Sequence, residues 1–377
     1  MKLSTFFRVA TTAVCFAGAV MAQAQPTTPA TPPAAPAAPA VWSAGGITFS
    51  GLIDGYYSFN ANHPASRNNN LRNFEVKANQ FSLNMTKFTL EHDADPVGFK
   101  LDLGFGRAWE IFHATDPAGT DVVRYIPQAY ITFKPKNAGG LQIDFGKFYT
   151  SAGAELTENN LTWNYGRGLL YTNGPYYHMG LRINKPLNDK FAVGLQVVNG
   201  WNNVEDNNSG KTFGFTTAFT PNKKFSWYNN YYTGPEKNET NKGKRNFFDT
   251  VVNLNPNDKA SFYVNFDYGK ENKVGNGDAT WVALGLSSRF QTTEKTALAV
   301  RYEHYNDRDG FITGQTQKLN SFTVTGEYKW VEGLLARLEY RRDWSDKPYF
   351  DRGNTLASWK NQDTVTLGIV AFFGPKR

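Results

Sequence analysis

An alternation of period two runs through this chain from about residue 46 to residue 373, and no other feature constrains the fold as strongly. Its clearest instance closes the chain. In DTVTLGIVAFF, residues 363–373, Val365, Leu367, Ile369, Ala371 and Phe373 fall on one face of an extended segment. Thr364, Thr366, Gly368, Val370 and Phe372 fall on the other. The region opens in the same rhythm, with Ile47, Phe49, Gly51, Ile53 and Tyr57 opposing Thr48, Ser50, Asp54, Tyr56 and Ser58. Val97, Phe99, Leu101, Leu103 and Phe105 likewise oppose Lys100 and Asp102 in a segment that reads on to Trp109. Counted along the chain, the pattern predicts about sixteen strands. Strict alternation lapses around Lys87 and Phe88, which marks either a β-bulge or a different register there.

The connections alternate in length. Short ones carry turn residues, as in DADPV at 93–97, KPLNDK at 185–190, NPNDK at 255–259 and VEG at 331–333. Long polar ones fall between them, such as TGPEKNETNKGKRN at 233–246 and SDKPYFDRGNTLASWK at 345–360. Short and long in turn is the pattern of a closed up-and-down meander with one plain rim and one elaborate rim. One face of the strands is apolar. The other carries Arg182, the pair Arg301 and Glu303, and the strip Arg337, Glu339, Arg341 and Asp343. Unpaired buried charges cost several kcal/mol each, so water is expected along that face. Lipid outside and water inside require a wide barrel, and about sixteen strands leave room for an aqueous channel. Trp109, Tyr149, Tyr177, Trp201, Tyr231, Trp281, Trp330 and Trp344 fall near the ends of the inferred strands, where barrels in membranes carry aromatic girdles. The fold class is therefore all-β, a transmembrane antiparallel up-and-down β-barrel. Mean hydropathy is −0.50, and no run of about 18 apolar residues offers a spanning helix.

Ahead of the barrel, Lys2 and Arg8 precede a short apolar run, Val9 to Val20, and small-residue cleavage sites end at Ala22 and Ala24. Residues 1–22 are read as a signal peptide and 23–45 as a Pro/Ala-rich periplasmic linker. Residues 46–377 are read as one barrel domain. The only cysteine, Cys15, leaves with the leader, so no disulfide or thiol chemistry is expected. The net charge of +7 falls to +5 without Lys2 and Arg8, and Lys and Arg are spread among acids, which excludes a nucleic-acid surface. His63, His92, His113, His178 and His304 are scattered, with no metal-ligand spacing. No nucleophile, base and orienting group are marked by any pattern, so no metal, cofactor or catalytic residue is expected.

FSGLIDGYYSFN at 49–60, NQFSLNMTKFTLEHDADPVGFKLDLGFGRA at 79–108, FGKFYTSAGAEL at 145–156 and GPYYHMGLRI at 174–183 together resemble the OmpL-like outer-membrane β-barrel porin family. The resemblance spans nearly the whole chain after the leader. It implies a porin in the bacterial outer membrane, passing small hydrophilic solutes or ions by passive diffusion. Resemblance of architecture to the classical porins also implies a homotrimer and a third long loop folded into the barrel. That loop is read as 150–175, with Glu155 and Glu158 as its constriction acids. Arg182, Arg301, Glu303, Arg337, Glu339 and Arg341 are the candidate pore-lining residues from alternation. The last strand, with Thr366, Gly368, Ala371 and Phe373, resembles the signal read by the barrel-assembly machinery. The alternative is a surface adhesin or receptor barrel with binding loops and a closed pore.

Overall fold

The computed structural model describes residues 42–116, 122–274 and 277–375; the expected leader and linker residues 23–41 lie outside the described residues. Sixteen antiparallel strands close into one barrel. In chain order β1 is Ile47–Asn60, β2 Phe81–His92, β3 Val97–Phe105 and β4 Gln128–Phe133. Next come β5 Gln142–Tyr149, β6 Tyr177–Pro186, β7 Phe191–Val198 and β8 Thr212–Asn222. The third quarter is β9 Phe225–Gly234, β10 Arg245–Asn257, β11 Ala260–Val274 and β12 Gly277–Gln291. The last is β13 Thr296–Asp307, β14 Gln317–Val331, β15 Leu334–Ser345 and β16 Asn361–Phe373. Each strand pairs with the next, and β16 returns to β1 in a register from Thr364 opposite Asn60 to Phe373 opposite Gly51. Closure leaves no open edge, which a sheet in lipid requires. The wall is uneven: β4 has 6 residues and β5 has 8, whereas β11, β12 and β14 have 15 each.

The faces follow the alternation. On β16, Val365, Leu367 and Ile369 stand outward and more than 40% exposed, while Thr364 and Thr366 point inward and are 2% exposed. Leu338 on β15 is 58% exposed, between Arg337 and Glu339 at 1% and 2%. An apolar surface this continuous around a barrel is a lipid-facing surface.

Three expectations need correcting. The bulge lies earlier than predicted: Asp54 pairs with Met85 and Gly55 with Leu83, so the extra residue is Asn84. The third strand ends at Phe105 rather than Trp109, because Gly106 takes φ +107° and the chain turns into a short helix α1, Arg107–Phe112. The aromatic girdle is only partly the predicted one. Tyr231 and Trp330 are exposed, and Trp344 is partly so. Trp109, Tyr177, Trp201 and Trp281 are buried. They sit under the elaborate rim: Trp109 donates to the Thr86 carbonyl at 3.0 Å, and Trp281 stacks on Phe311 of the 308–316 loop.

The long connections share one rim, opposite the rim that holds both the short turns and the two ends of the barrel. Loop 1 is 61–80, loop 2 is 106–127 and loop 3 is 150–176. Loops 4 and 5 are 199–211 and 235–244, and the last long connection, 346–360, carries a small hairpin of Phe350–Arg352 and Thr355–Trp359. Loops 1 and 3 do not stay at the rim.

Candidate functional site

Loop 3 leaves β5 and crosses the lumen to the far wall. No residue from 151 to 176 is fully exposed. Its first contacts are with β7 to β11. Ser151 Oγ donates to Asn230 at 2.7 Å, and the Ala154 amide donates to Asn265 Oδ1 at 3.0 Å. Trp163 packs on Tyr263, ring centroids 5.1 Å apart. The loop then makes a tight turn at Asn159–Leu161 and a single turn of helix α2, Leu169–Thr172.

Arg167 gives the loop its internal shape. Its guanidinium is fully buried and donates to the carbonyls of Leu156 at 2.8 Å and Tyr165 at 2.6 Å, and to Thr157 O and Asn159 Oδ1. A rigid fork of five donors is suited to tying several backbone carbonyls together. Two glycines let the loop seat closely. A Cβ at Gly166 would collide with Glu75 Oε1, and one at Gly368 would collide with the Tyr165 ring.

The inward charges of β13 and β15 hold the loop against the wall. Glu339 accepts from the amides of Tyr165 at 2.7 Å and Gly166 at 3.0 Å. Glu303 accepts from the Leu170 amide at 3.2 Å. Arg337 donates to the carbonyls of Asn159, Thr162 and Asn164 and pairs with Glu327 at 2.7 Å. Arg341 donates to the Arg167 carbonyl at 2.6 Å. Arg301 donates to the Gly166 carbonyl at 2.9 Å and pairs with Glu155. The second loop acid, Glu158, pairs with Lys87 of β2, which also meets Asp102 at 3.1 Å. Burial pushes the Glu155 carboxyl above the usual carboxylate range, against the pull of Arg301.

All six wall positions expected from alternation therefore point inward, and five of them meet loop 3. Arg301, Glu303, Arg337, Glu339 and Arg341 are each no more than 2% exposed. Their charges meet loop backbone, each other at Arg301 and Glu303, and the neighbouring acids Glu155, Glu327 and Asp343. Arg182 stands apart. It pairs with Asp144 at 2.8 Å, lies over Phe148, and borders a recess of about 20 Å³, room for one water. Both loop acids are ion-paired, each to a wall base on a different side. Sequence reasoning missed Lys87, Asp102, Arg167 and the whole of loop 1. Lys87 and Asp102 carried the inward-facing signal; Arg167 and loop 1 carried none, since a loop has no period.

Residues 46–373 match the family described as "Putative beta-barrel porin-2, OmpL-like". Several solved structures share the fold at low identity. The outer membrane channel DcaP of Acinetobacter baumannii is 11% identical, with a TM-score of 0.60 over 87% of this chain and 97% of that one. The anion-selective porin from Comamonas acidovorans is 11% identical, with a TM-score of 0.57 over 87% and 99%. In-vitro folded OmpT of Vibrio cholerae, in its trimer form, is 12% identical, with a TM-score of 0.58 over 87% and 99%. At such identities the likeness is one of fold. No curated protein matches the sequence.

Proposed function

The chain belongs to the OmpL-like β-barrel porin family and is an outer-membrane porin, and from that premise we propose that loop 3 is its constriction. The observation that carries this is the loop's course across the lumen, with Glu155 on Arg301, Glu158 on Lys87 and the tip seated on Glu303 and Glu339. Solutes pass through what the loop leaves open. No bond is made or broken, and the protein supplies a radius and a lining. Because acids and bases at the loop are paired across short distances, their charges cancel locally and the net charge there is small. Such a lining passes small hydrophilic solutes and ions of either sign and rejects apolar ones, which disrupt its water. Arg182 and the five anchor residues complete the wall.

Assembly follows from the same premise. Residues 1–22 direct export and are removed, and the Pro/Ala tract spaces the barrel from the cleavage site. The last strand is read by the assembly machinery. Three copies associate, the arrangement of the Vibrio cholerae OmpT trimer.

Single-channel recording in a planar bilayer under a salt gradient tests the reading. Ohmic steps with a reversal potential near zero are expected. A folded, inserted barrel that passes no current would overturn it. That outcome would favour the closed receptor, whose binding surface would be the hairpin strand Thr355–Trp359, exposed at all five residues.

A further inference from the structure

We propose that loop 1 is a second constriction element, clamped over loop 3 by the buried cluster of Arg72, Glu75, Arg341 and Asp343. The proposal rests on the reading of loop 3 as the first.

Loop 1 starts as an ordinary rim loop, with Ala61, His63, Ala65 and Arg67 exposed. Its tip does the opposite of what a surface loop does. Phe74, Glu75 and Ala78 are each 1% exposed. Two walls of contact account for this. On the barrel side, Arg72 pairs with Asp343 of β15 and donates to Thr364 Oγ1 of β16 at 2.8 Å. The Asn70 amide donates to Gln362 Oε1 at 2.9 Å, and Gln362 Nε2 donates back to the Asn70 carbonyl at 3.0 Å. On the other side the tip meets loop 3. Phe74 packs edge-on against Tyr171 at 6.0 Å and lies 5.4 Å from the Arg167 guanidinium. Tyr176 donates to Asn73 Oδ1 at 3.0 Å.

Arg341 joins the two loops. One of its nitrogens donates to the Arg167 carbonyl of loop 3 at 2.6 Å, another to the Leu71 carbonyl of loop 1 at 3.3 Å, and the third pairs with Asp343 at 2.9 Å. Glu75 fills the gap between the loops and the wall. It lies 3.4 Å from Arg72 and 3.8 Å from Arg341, beside Gly166. Both of its oxygens are buried and neither has a hydrogen bond. A carboxylate held by two guanidinium charges alone has lost its hydration without recovering it in hydrogen bonds. Loop 1 is seated by this charge cluster and by directed bonds to the wall, among them Asn69 to Ser58 Oγ at 3.1 Å and the Lys77 amide to the Tyr56 hydroxyl at 2.8 Å. Loop 1 thus fills the sector of lumen along β15, β16 and β1.

The test is unitary conductance of refolded wild type, Arg72→Gln, a chain with residues 66–77 replaced by a short Gly/Ser turn, and Glu155→Gln. Barrel closure is checked for each by the heat-dependent gel shift. The proposal expects Arg72→Gln and the shortened chain to give steps larger by roughly two-fold, since one of two obstructing elements is gone. The shortened chain keeps the test open if Arg72→Gln fails to fold. Unchanged steps in a folded, shortened barrel would overturn the proposal. If Glu155→Gln alters the steps and neither loop 1 variant does, loop 3 remains the constriction and only this inference falls. If none of the three alters them, both readings fall.

Discussion

Arg337→Met tests whether wall charge holds loop 3 in place. Methionine fits the volume and removes the donors. Arg337 now serves three loop carbonyls, those of Asn159, Thr162 and Asn164, and makes two bonds to Glu327 at 2.9 and 2.7 Å. Glu327 keeps Arg289 at 2.9 Å, so the wall is not left with an unpaired charge. The cost falls on the loop. Hydrogen bonds to a charged group are worth about 1.5–3 kcal/mol each, and the two short ones here give about 3–6 kcal/mol. Water in the lumen can reach the freed carbonyls, so the lower end applies, about 3 kcal/mol. That shifts the balance between seated and displaced loop by roughly 100-fold. Single-channel traces of the variant should therefore show a second, larger level, or rapid flicker between two, where wild type shows one. Leu338→Ala is the control, since Leu338 faces lipid one residue away. If Arg337→Met gives a folded barrel whose steps match wild type at the same salt, the guanidinium does not seat the loop, or the loop does not set the current.

The same geometry sets three further outcomes. Gly166→Ala would push a methyl into Glu75 Oε1 and to 2.8 Å from Glu339, an overpacking cost of about 1–3 kcal/mol that should appear as larger or noisier steps without loss of the barrel. Leu338→Arg would place a charge on the lipid face and should lower stability in liposomes by about 2–4 kcal/mol, read from urea titration of the folded band. Glu236 of loop 5 is pushed up to about 7 by burial, against the pull of Arg245, while Glu271 adds to the rise. It accepts from Thr212 at 2.6 Å and from the Trp201 amide at 2.9 Å, which ties loop 5 to loop 4. A raised carboxyl pKa gives stability that is full below about 4.5 and is lost as pH rises through about 7. Protection factors in loops 4 and 5, the exchange rates corrected for the intrinsic rate at each pH, should accordingly fall across that window, and Glu236→Gln should flatten the dependence. A protection factor equal at both ends of the window would contradict it.

What the sequence made legible is the wall, because a wall repeats. Thr366 and Leu367 differ in fate for no local reason except the pleat, and the pleat has a fixed period. The same rule, applied strictly, also decides the girdle. Trp281 alternates with Val282 and shares its face with Ala279, Ala283 and Gly285, the small residues that leave room for rim loops. Trp330 shares its face with Tyr328 and Phe322 and meets lipid. Both lie near strand ends, so position alone misplaces Trp281, whereas register separates them. The seating of the loops was not legible. The bond from Tyr165 to Glu339 joins positions 174 residues apart, and that from Arg72 to Thr364 joins positions 292 apart, with no period to link them. The inward strip Arg337, Glu339, Arg341 therefore had two physical solutions at the level of sequence: water, or a polar backbone folded onto it. Both satisfy the rule that a buried charge needs a partner. The fold takes the second along β13 and β15, so charge on an inner face marks where a loop docks as readily as where a channel runs.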